Sequence, residues 1–314
     1  MTKVRRILSI DGGGIKGVCP AAFLATLEDA IGDRVANYFD LIVGTSTGGI
    51  IAIGLGLGLS AVEILKFYEQ YGPQIFKQRA FLNRMRHFAF TKYDNAALRQ
   101  ALENTFGDRK LGDSNQRLVI PSFNLDTGEA YLYKTAHHRR FERDYKEPVV
   151  AIALATSAAP TYFPTYKSEG GLAFVDGGLW ANNPTSVAAI EATTALNWKT
   201  EAIQLLSLGC SATPASVGWE RRFPLGQSYW AAKAVDLMMA GQSSSSLGTA
   251  KLLVGEENVA RINPIVQQNR FSMDGLGGVK ALCGLGRGEA RRELAKLRQL
   301  FFTEPADIFV PCWK

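Results

Sequence analysis

Three short glycine-bracketed segments carry the residue types that acyl transfer needs. The first centres on Ser46, in Gly44-Thr45-Ser46-Thr47-Gly48, directly after the apolar run at 39–43 and before Ile50-Ile51-Ala52-Ile53. A serine in the middle of G-x-S-x-G between a strand and a helix has the pattern of a nucleophile elbow. There the tight backbone exposes the hydroxyl, and glycines such as Gly44 and Gly48 tolerate the crowding on either side. A helix starting at this point aims its N–H groups and positive dipole end at the hydroxyl, favouring the alkoxide and any oxyanion formed on attack. The same pentapeptide also fits a glycine-rich turn that packs a helix on a strand, or a phosphate loop.

A serine hydroxyl needs a base, most often histidine. The chain has three histidines, His87, His137 and His138. None lies near the end of the chain, where the serine, acid, histidine order of an α/β-hydrolase would put it. His137 and His138 fall in the polar stretch KTAHHRRFERD, which reads as a solvated basic loop. The carboxylate that stands out is Asp176, which closes the stretch LAFV and precedes Gly177 and Gly178. An aspartate at a strand end before two glycines can reach a neighbouring strand end without its own chain in the way. D-G-G is equally a common turn. As a direct base, Asp176 would work from a carboxylate pKa of about 4, leaving much of the activation to fixed dipoles.

The third segment is Asp11-Gly12-Gly13-Gly14-Ile15-Lys16-Gly17. Successive glycines before a helix let the amides of Gly12, Gly13 and Gly14 point at one spot as an anion cradle, with Lys16 as a nearby cation. In acyl transfer this is an oxyanion hole. Gly12, Gly14 and Gly17 also satisfy the G-x-G-x-x-G of a dinucleotide loop. The acidic residue wanted about 20 positions on is then Asp33, in a polar helix-end turn rather than after a second strand.

Positioning these segments requires elements that end where they begin. An apolar strand over 4–10, the glycine turn and a helical pattern over 21–31 are followed by a second strand, turn and helix around Ser46. Two such units in succession predict an α/β sheet with parallel strands whose ligand sites lie beyond their carboxyl ends, with both glycine turns on one edge. A hairpin over 117–124 and 129–134 makes the sheet mixed. Helical patterns recur at 61–76, 95–105, 149–156 and 185–196, and further strands at 173–175 and 202–208. The region after about residue 214 holds AAKAVDLMMAG, the serine run Ser243 to Ser246 and an amphipathic stretch at 288–302. The expected organisation is a catalytic domain over 4–210 and a helical extension over 211–314 packed on it.

Composition narrows the classes. With 314 residues, 46% hydrophobic and 20% charged, the chain has an ordinary globular mix and is not disordered. No apolar run reaches the roughly 18 residues that span a bilayer, and the N-terminus shows no signal-peptide pattern, so a cytoplasmic protein is expected. Cys19, Cys210, Cys283 and Cys312 are widely spaced, which suits reduced thiols rather than disulfides or a zinc site. A net charge of +6 favours anionic partners such as lipid headgroups or nucleotides. The aromatic and basic segment at 81–90 and the helix at 288–302 fit a peripheral membrane contact, although an amphipathic helix also simply packs on its own domain.

Taken together, DGGGIKG at 11–17, GTSTG at 44–48, ATSAAPTYFP at 155–164 and DGG at 176–178 resemble the signature blocks of the patatin-like phospholipases, over roughly residues 4–210. The resemblance implies a three-layer α/β fold with a central, mostly parallel sheet flanked by helices. It also implies a serine-aspartate lipid acyl hydrolase without metal or cofactor. Ser46 is then the nucleophile, Asp176 the base and the Gly12, Gly13 and Gly14 amides the oxyanion donors, with Lys16, Gly17, Gly44, Gly48, Gly177 and Gly178 as supporting motif residues. The family often has arginine where Lys16 stands, so the charge is kept and the bidentate geometry is not. The segment KYDNAALRQALENTFGDRKLGD at 92–113, with the compact length and basic start, is similar to bacterial patatin-like effectors of anti-phage signalling. That likeness implies membrane glycerophospholipid as substrate, cleaved at the inner face of the membrane, a cyclic dinucleotide activator, homo-oligomerisation on activation and no nucleic acid polymer as partner. Two other readings stand: a non-enzymatic nucleotide-binding regulator built on the glycine loops, and a hydrolase of soluble esters or peptides.

Overall fold

The computed structural model describes residues 3–77, 91–213, 227–267 and 270–314. In chain order its main elements are β1 (Arg5–Ile10), α1 (Val18–Ile31), β2 (Leu41–Gly44), α2 (Thr47–Gly56), α3 (Ala61–Ile75), α4 (Ala96–Phe106), β3 (Arg117–Asn124), β4 (Glu129–Lys134) and α5 (Val149–Thr156). They continue with β5 (Tyr166–Lys167), β6 (Ala173–Asp176), α6 (Gly178–Ala181), α7 (Thr185–Ile190), β7 (Ile203–Leu208), α8 (Gln227–Val254), β8 (Val259–Ile262) and α9 (Val279–Phe301). The strands form one sheet in the order β5-β6-β3-β2-β1-β7-β8, with β4 paired to the hairpin partner β3. The pairings among β1, β2, β3, β7 and β8 are parallel, and those of β4 with β3, β6 with β3 and β5 with β6 are antiparallel.

Strand alternation sends each central strand's apolar residues to both faces, and both are covered. Leu8, Ile10, Ile42, Ile120 and Leu206 join one core with α1, α2, α3, α5 and α9. Their neighbours Ile7, Leu41, Val43, Val119 and Leu205 join a second core with Ala188 and Ala192 beside α7, and with Ala250 and Val254 of α8. The result is helix, sheet, helix in three layers around a mostly parallel sheet. The helical pattern over 185–196 is a helix only to Ile190, after which Glu191–Ala195 forms a π turn.

The register around β3 positions the site. β2 pairs with the first part of β3, placing Val43 opposite Val119. β6 pairs antiparallel with the last part of the same strand, placing Asp176 opposite Ser122. β2 and β6 therefore run toward each other along one edge of β3 and stop head to head. Pro121 sits in the gap between them. The N–H and C=O of one strand residue point to the same side, so the donor that proline lacks faces the gap, where no strand requires it. Its carbonyl accepts from Thr156 Oγ1 at 2.6 Å.

Beyond residue 210 the structure departs from a purely helical extension. β8 adds a parallel edge strand against β7. The amphipathic stretch at 288–302 belongs almost entirely to α9 and packs along α1, with Ala290, Leu297 and Phe301 buried. A Cβ on Gly286 would lie 2.2 Å from the Cys19 carbonyl oxygen, which shows how closely the two helices approach. The apolar stripe is thus used inside the molecule and not as a membrane face. The segment at 81–90 and His87 lie outside the described residues. Among the described residues no helix is long and apolar enough to cross a membrane.

Candidate active site

Ser46 stands between β2 and α2 with φ 55° and ψ −121°, a conformation that L-residues rarely adopt. The strain is held by its surroundings. The Ser46 N–H donates to Thr156 Oγ1 at 2.9 Å, Thr45 Oγ1 donates to the Ala181 carbonyl at 2.6 Å, and Gly48 N–H returns to the Thr45 carbonyl at 2.8 Å. A Cβ on Gly48 would fall 2.3 Å from the Ile10 carbonyl oxygen, and one on Gly44 would fall 2.1 Å from that of Gly48. Only glycine lets α2 start so close to the ends of β1 and β2. Gly17 packs on the Thr47 side chain, and Thr47 Oγ1 meets Tyr68 Oη at 2.5 Å.

The Ser46 hydroxyl acts on the Asp176 carboxyl and works to lower its pKa. That carboxyl accepts a hydrogen bond from the N–H of Gly178 at 2.7 Å. Asp176 N–H donates to the Ala158 carbonyl at 3.1 Å, fixing the end of β6 against the ATSAAP block. Gly177 lies over β3, where a Cβ would strike the Pro121 carbonyl oxygen at 2.3 Å. Burial pushes the Asp176 carboxyl up to about 6, against the smaller opposing effects of Gly178 and Ser46. That differs from the value of about 4 expected from the sequence, because among the described residues no cation stands beside the group to offset its desolvation. A carboxylate so shifted is a stronger proton acceptor than an ordinary aspartate.

The glycine loop lies beside both residues, but its three amides are not equivalent. Gly12 N–H donates to the Asn182 carbonyl at 2.9 Å, so it is not open to a substrate, contrary to the expectation that all three would serve as donors. The amides of Gly13 and Gly14 donate to no acceptor among the described residues. Gly14 adopts φ +59°, and a Cβ there would meet the Met273 carbonyl oxygen at 2.2 Å. Lys16, half-buried on the turn at Gly14–Gly17, forms no ion pair among the described residues. Its charge acts on Asp11 and Cys210.

Sequence reasoning missed several clamps on this loop, because they come from the C-terminal third. Arg261 on β8 grips Asp11 with two nitrogens, at 2.8 and 2.5 Å, and also donates to Ser207 Oγ at 2.7 Å. Ile15 N–H donates to the Met273 carbonyl at 2.8 Å. On α8, Gln242 accepts from Asn182 N–H at 2.7 Å and Ser246 donates to the Asn183 carbonyl at 2.7 Å. The serine run therefore anchors the stretch after Gly178, which in turn caps Gly12.

The reading of 134–144 as a solvated loop fails for His137. That ring is buried, with Nε2 at 3.0 Å from Glu191 and Nδ1 at 2.8 Å from Thr135 Oγ1. Burial holds its pKa below the ordinary histidine value. Neither His137 nor His138 contacts Ser46 or Asp176. Cys19, Cys210, Cys283 and Cys312 are all free thiols.

A cavity of about 550 Å³, measured to its open mouth, begins at Ser46 and is walled by Ile50, Phe67, Phe76, Leu98 and Phe163. Its walls suit an apolar chain more than a charged one. The arrangement places a strained serine, a proton acceptor and two unengaged amides at the mouth of an apolar pocket, which is the equipment of ester cleavage.

Comparison with known proteins agrees with this geometry. The patatin-like phospholipase family profile matches residues 8–189. A cGAMP-activated phospholipase of Pseudomonas aeruginosa is 37% identical over 241 residues, covering 76% of this chain and 72% of the relative. A cGAMP-activated phospholipase of Vibrio cholerae is 39% identical over 202 residues, covering 59% and 57%. Patatin-like protein 2 of Oryza sativa subsp. indica is 35% identical over 216 residues, covering 59% and 52%. The chain thus spans little more than half the length of these last two relatives. In fold it is similar to VipD from Legionella pneumophila, with a TM-score of 0.50 at 14% identity, covering 94% of this chain and 67% of that one. On the strength of the profile and the Pseudomonas relative, the chain belongs to the patatin-like phospholipase family of hydrolases.

Proposed function

We propose that the chain hydrolyses acyl esters of membrane glycerophospholipids with a serine-aspartate dyad, Ser46 and Asp176. The observation that carries this reading is a strained, buried serine whose hydroxyl acts on a carboxyl whose pKa burial lifts to about 6. Asp176 takes the Ser46 proton as Ser46 Oγ attacks the ester carbonyl, and the Gly13 and Gly14 amides receive the oxyanion. The alcohol leaves with the proton that Asp176 returns to it. Water, deprotonated by the same carboxylate, then releases the fatty acid from the acyl-enzyme. The apolar cavity holds the acyl chain, with the substrate drawn from the inner face of the membrane.

We further propose regulation by a cyclic dinucleotide, as the names of the Pseudomonas and Vibrio relatives say of those proteins, with homo-oligomerisation on activation in bacterial anti-phage defence. The C-terminal clamps on Asp11, Gly12 and Ile15 support a control route. A ligand that favours one arrangement of that third alters the oxyanion loop directly, to the extent of its differential affinity. The test is fatty-acid release from mixed phospholipid vesicles by purified protein, with and without a cyclic dinucleotide panel. Release by wild type and none by Ser46→Ala, with fluorophosphonate labelling confined to Ser46, is the expected result. Release by Ser46→Ala, or binding of a nucleotide with no turnover of any ester, would overturn the dyad. Equal release with and without every nucleotide would overturn the regulation alone.

A further inference from the structure

Thr156 and Ser157 end α5 side by side, and their hydroxyls have opposite circumstances. Thr156 Oγ1 accepts from Ser46 N–H at 2.9 Å and donates to the Pro121 carbonyl at 2.6 Å, so it is fully engaged in holding the elbow. Ser157 is 7% exposed, and its Oγ has no hydrogen-bond partner among the described residues. It lines the same cavity as Ser46, in company with Ile50, Phe67 and Phe163. A buried hydroxyl without a partner lowers stability, and alanine would remove that cost with almost no change in shape. Alanine already stands at 155, 158 and 159, so the local helix end tolerates it.

We propose that Ser157 is a substrate-contacting residue whose hydroxyl donates a hydrogen bond to an ester oxygen of the acyl group seated in the cavity. The inference rests on the hydrolase reading for its substrate, but its evidence is separate: an unpaired hydroxyl on an apolar wall beside the nucleophile. The acyl chain supplies no acceptor except at its ester end, and that end must lie at Ser46 for attack. The hydroxyl therefore finds its partner only when the chain is seated with the carbonyl at the mouth. This gives the pocket a polar register mark, so that apolar burial alone does not decide how deep the chain slides. The same hydroxyl meets the carboxylate of the fatty acid after hydrolysis.

The experiment compares wild type, Ser157→Ala and Ser157→Thr in three measurements: kcat and KM on phospholipid vesicles, thermal unfolding, and calorimetric binding of palmitate. The expected result is a kcat/KM about 10 to 100 times lower for Ser157→Ala, in keeping with the loss of one preorganised donor. Palmitate binding should weaken about tenfold, and the unfolding temperature should be equal to or above that of wild type. Ser157→Thr, which keeps the hydroxyl, should recover most of both losses. Equal kcat/KM and equal palmitate affinity in Ser157→Ala would overturn the role, as would a loss explained entirely by unfolding. A wild type that cleaves no ester in any condition would instead overturn the hydrolase reading, and palmitate binding by the same three proteins would still decide Ser157.

Discussion

Asp176 and Glu191 are both buried carboxyls, 5% and 4% exposed, at opposite ends of the chemistry available to such a group. Glu191 receives Lys134 Nζ at 2.6 Å and His137 Nε2 at 3.0 Å. Burial works to raise its pKa, but the hydrogen bonds from His137 and Lys134 and the Lys134 charge prevail, so it lies below the ordinary value. Among the described residues Asp176 feels only neutral groups, the Gly178 N–H and the Ser46 hydroxyl, and burial prevails there. Desolvation alone does not mark a proton-exchanging group. Among the described residues no cation compensates Asp176, and under the proposed dyad this separates a carboxylate that moves protons from one that keeps its charge.

The strongest test of this contrast is Asp176→Asn, which keeps the shape and removes the proton acceptor. Hydrolysis of phospholipid esters should fall at least about 10²-fold, the usual scale for a lost general base. Stability should move the other way. Because the folded-state pKa of Asp176 lies above its ordinary value of 3.8, the native protein holds a proton that the unfolded chain has released. Its contribution is therefore fully present below about pH 4 and is lost as pH rises through about 6, a change of about 3 kcal/mol for a gap of about two units. Chemical denaturation at pH 8 should accordingly find Asp176→Asn more stable than wild type, and wild-type hydrolysis should climb with pH through a midpoint near 6. A variant less stable than wild type at pH 8 would break the comparison.

Glu191→Ala should show the reverse pattern. Removing the carboxylate leaves the part-buried Lys134 ammonium without its partner, at a cost of about 2 kcal/mol, while turnover per folded molecule stays within about twofold of wild type. The sign of the pH dependence is opposite as well. Glu191 has a lowered folded-state pKa, so its stabilisation is present above the unfolded value and is lost as pH falls through the folded one. Denaturation curves at pH 7 and pH 3 measure this directly, and an activity loss comparable to that of Asp176→Asn would show that the two sites are not separate.

The smallest expected effect is that of His137→Gln. Glutamine retains a donor toward Glu191 and should cost about 1 kcal/mol with turnover nearly unchanged, as judged by the same vesicle assay. A loss as large as that of the aspartate variant, without unfolding, would replace the dyad with a histidine-dependent mechanism.

Much of the site is readable from short spacings. The G-x-S-x-G and D-G-G patterns locate Ser46 and Asp176 because an elbow and a strand-end turn are local requirements, written within a few residues of the group they expose. Gly12 was misread as a donor for the complementary reason. Its amide faces Asn182, 170 positions away, and nothing near Gly12 announces that acceptor. His137 shows the same failure. A polar neighbourhood in sequence reads as solvent exposure, whereas its burial comes from Glu191, 54 residues on. Arg261 lies 250 residues from the Asp11 that it clamps, on a strand too short to stand out from its surroundings.

The sequence by itself determined the apolar alternation that makes a two-faced sheet, the glycines at the tight turns and the order in which serine and aspartate arrive at strand ends. Only the tertiary structure decided that those ends meet. β2 and β6 share one edge of β3, with Pro121 in the gap between them, so Ser46 and Asp176 come together at the ends of those strands. The pKa of that carboxyl was equally beyond the sequence. It follows from which charges lie nearby and how much water is excluded, and both are set by chain segments far apart in sequence that fold into one place.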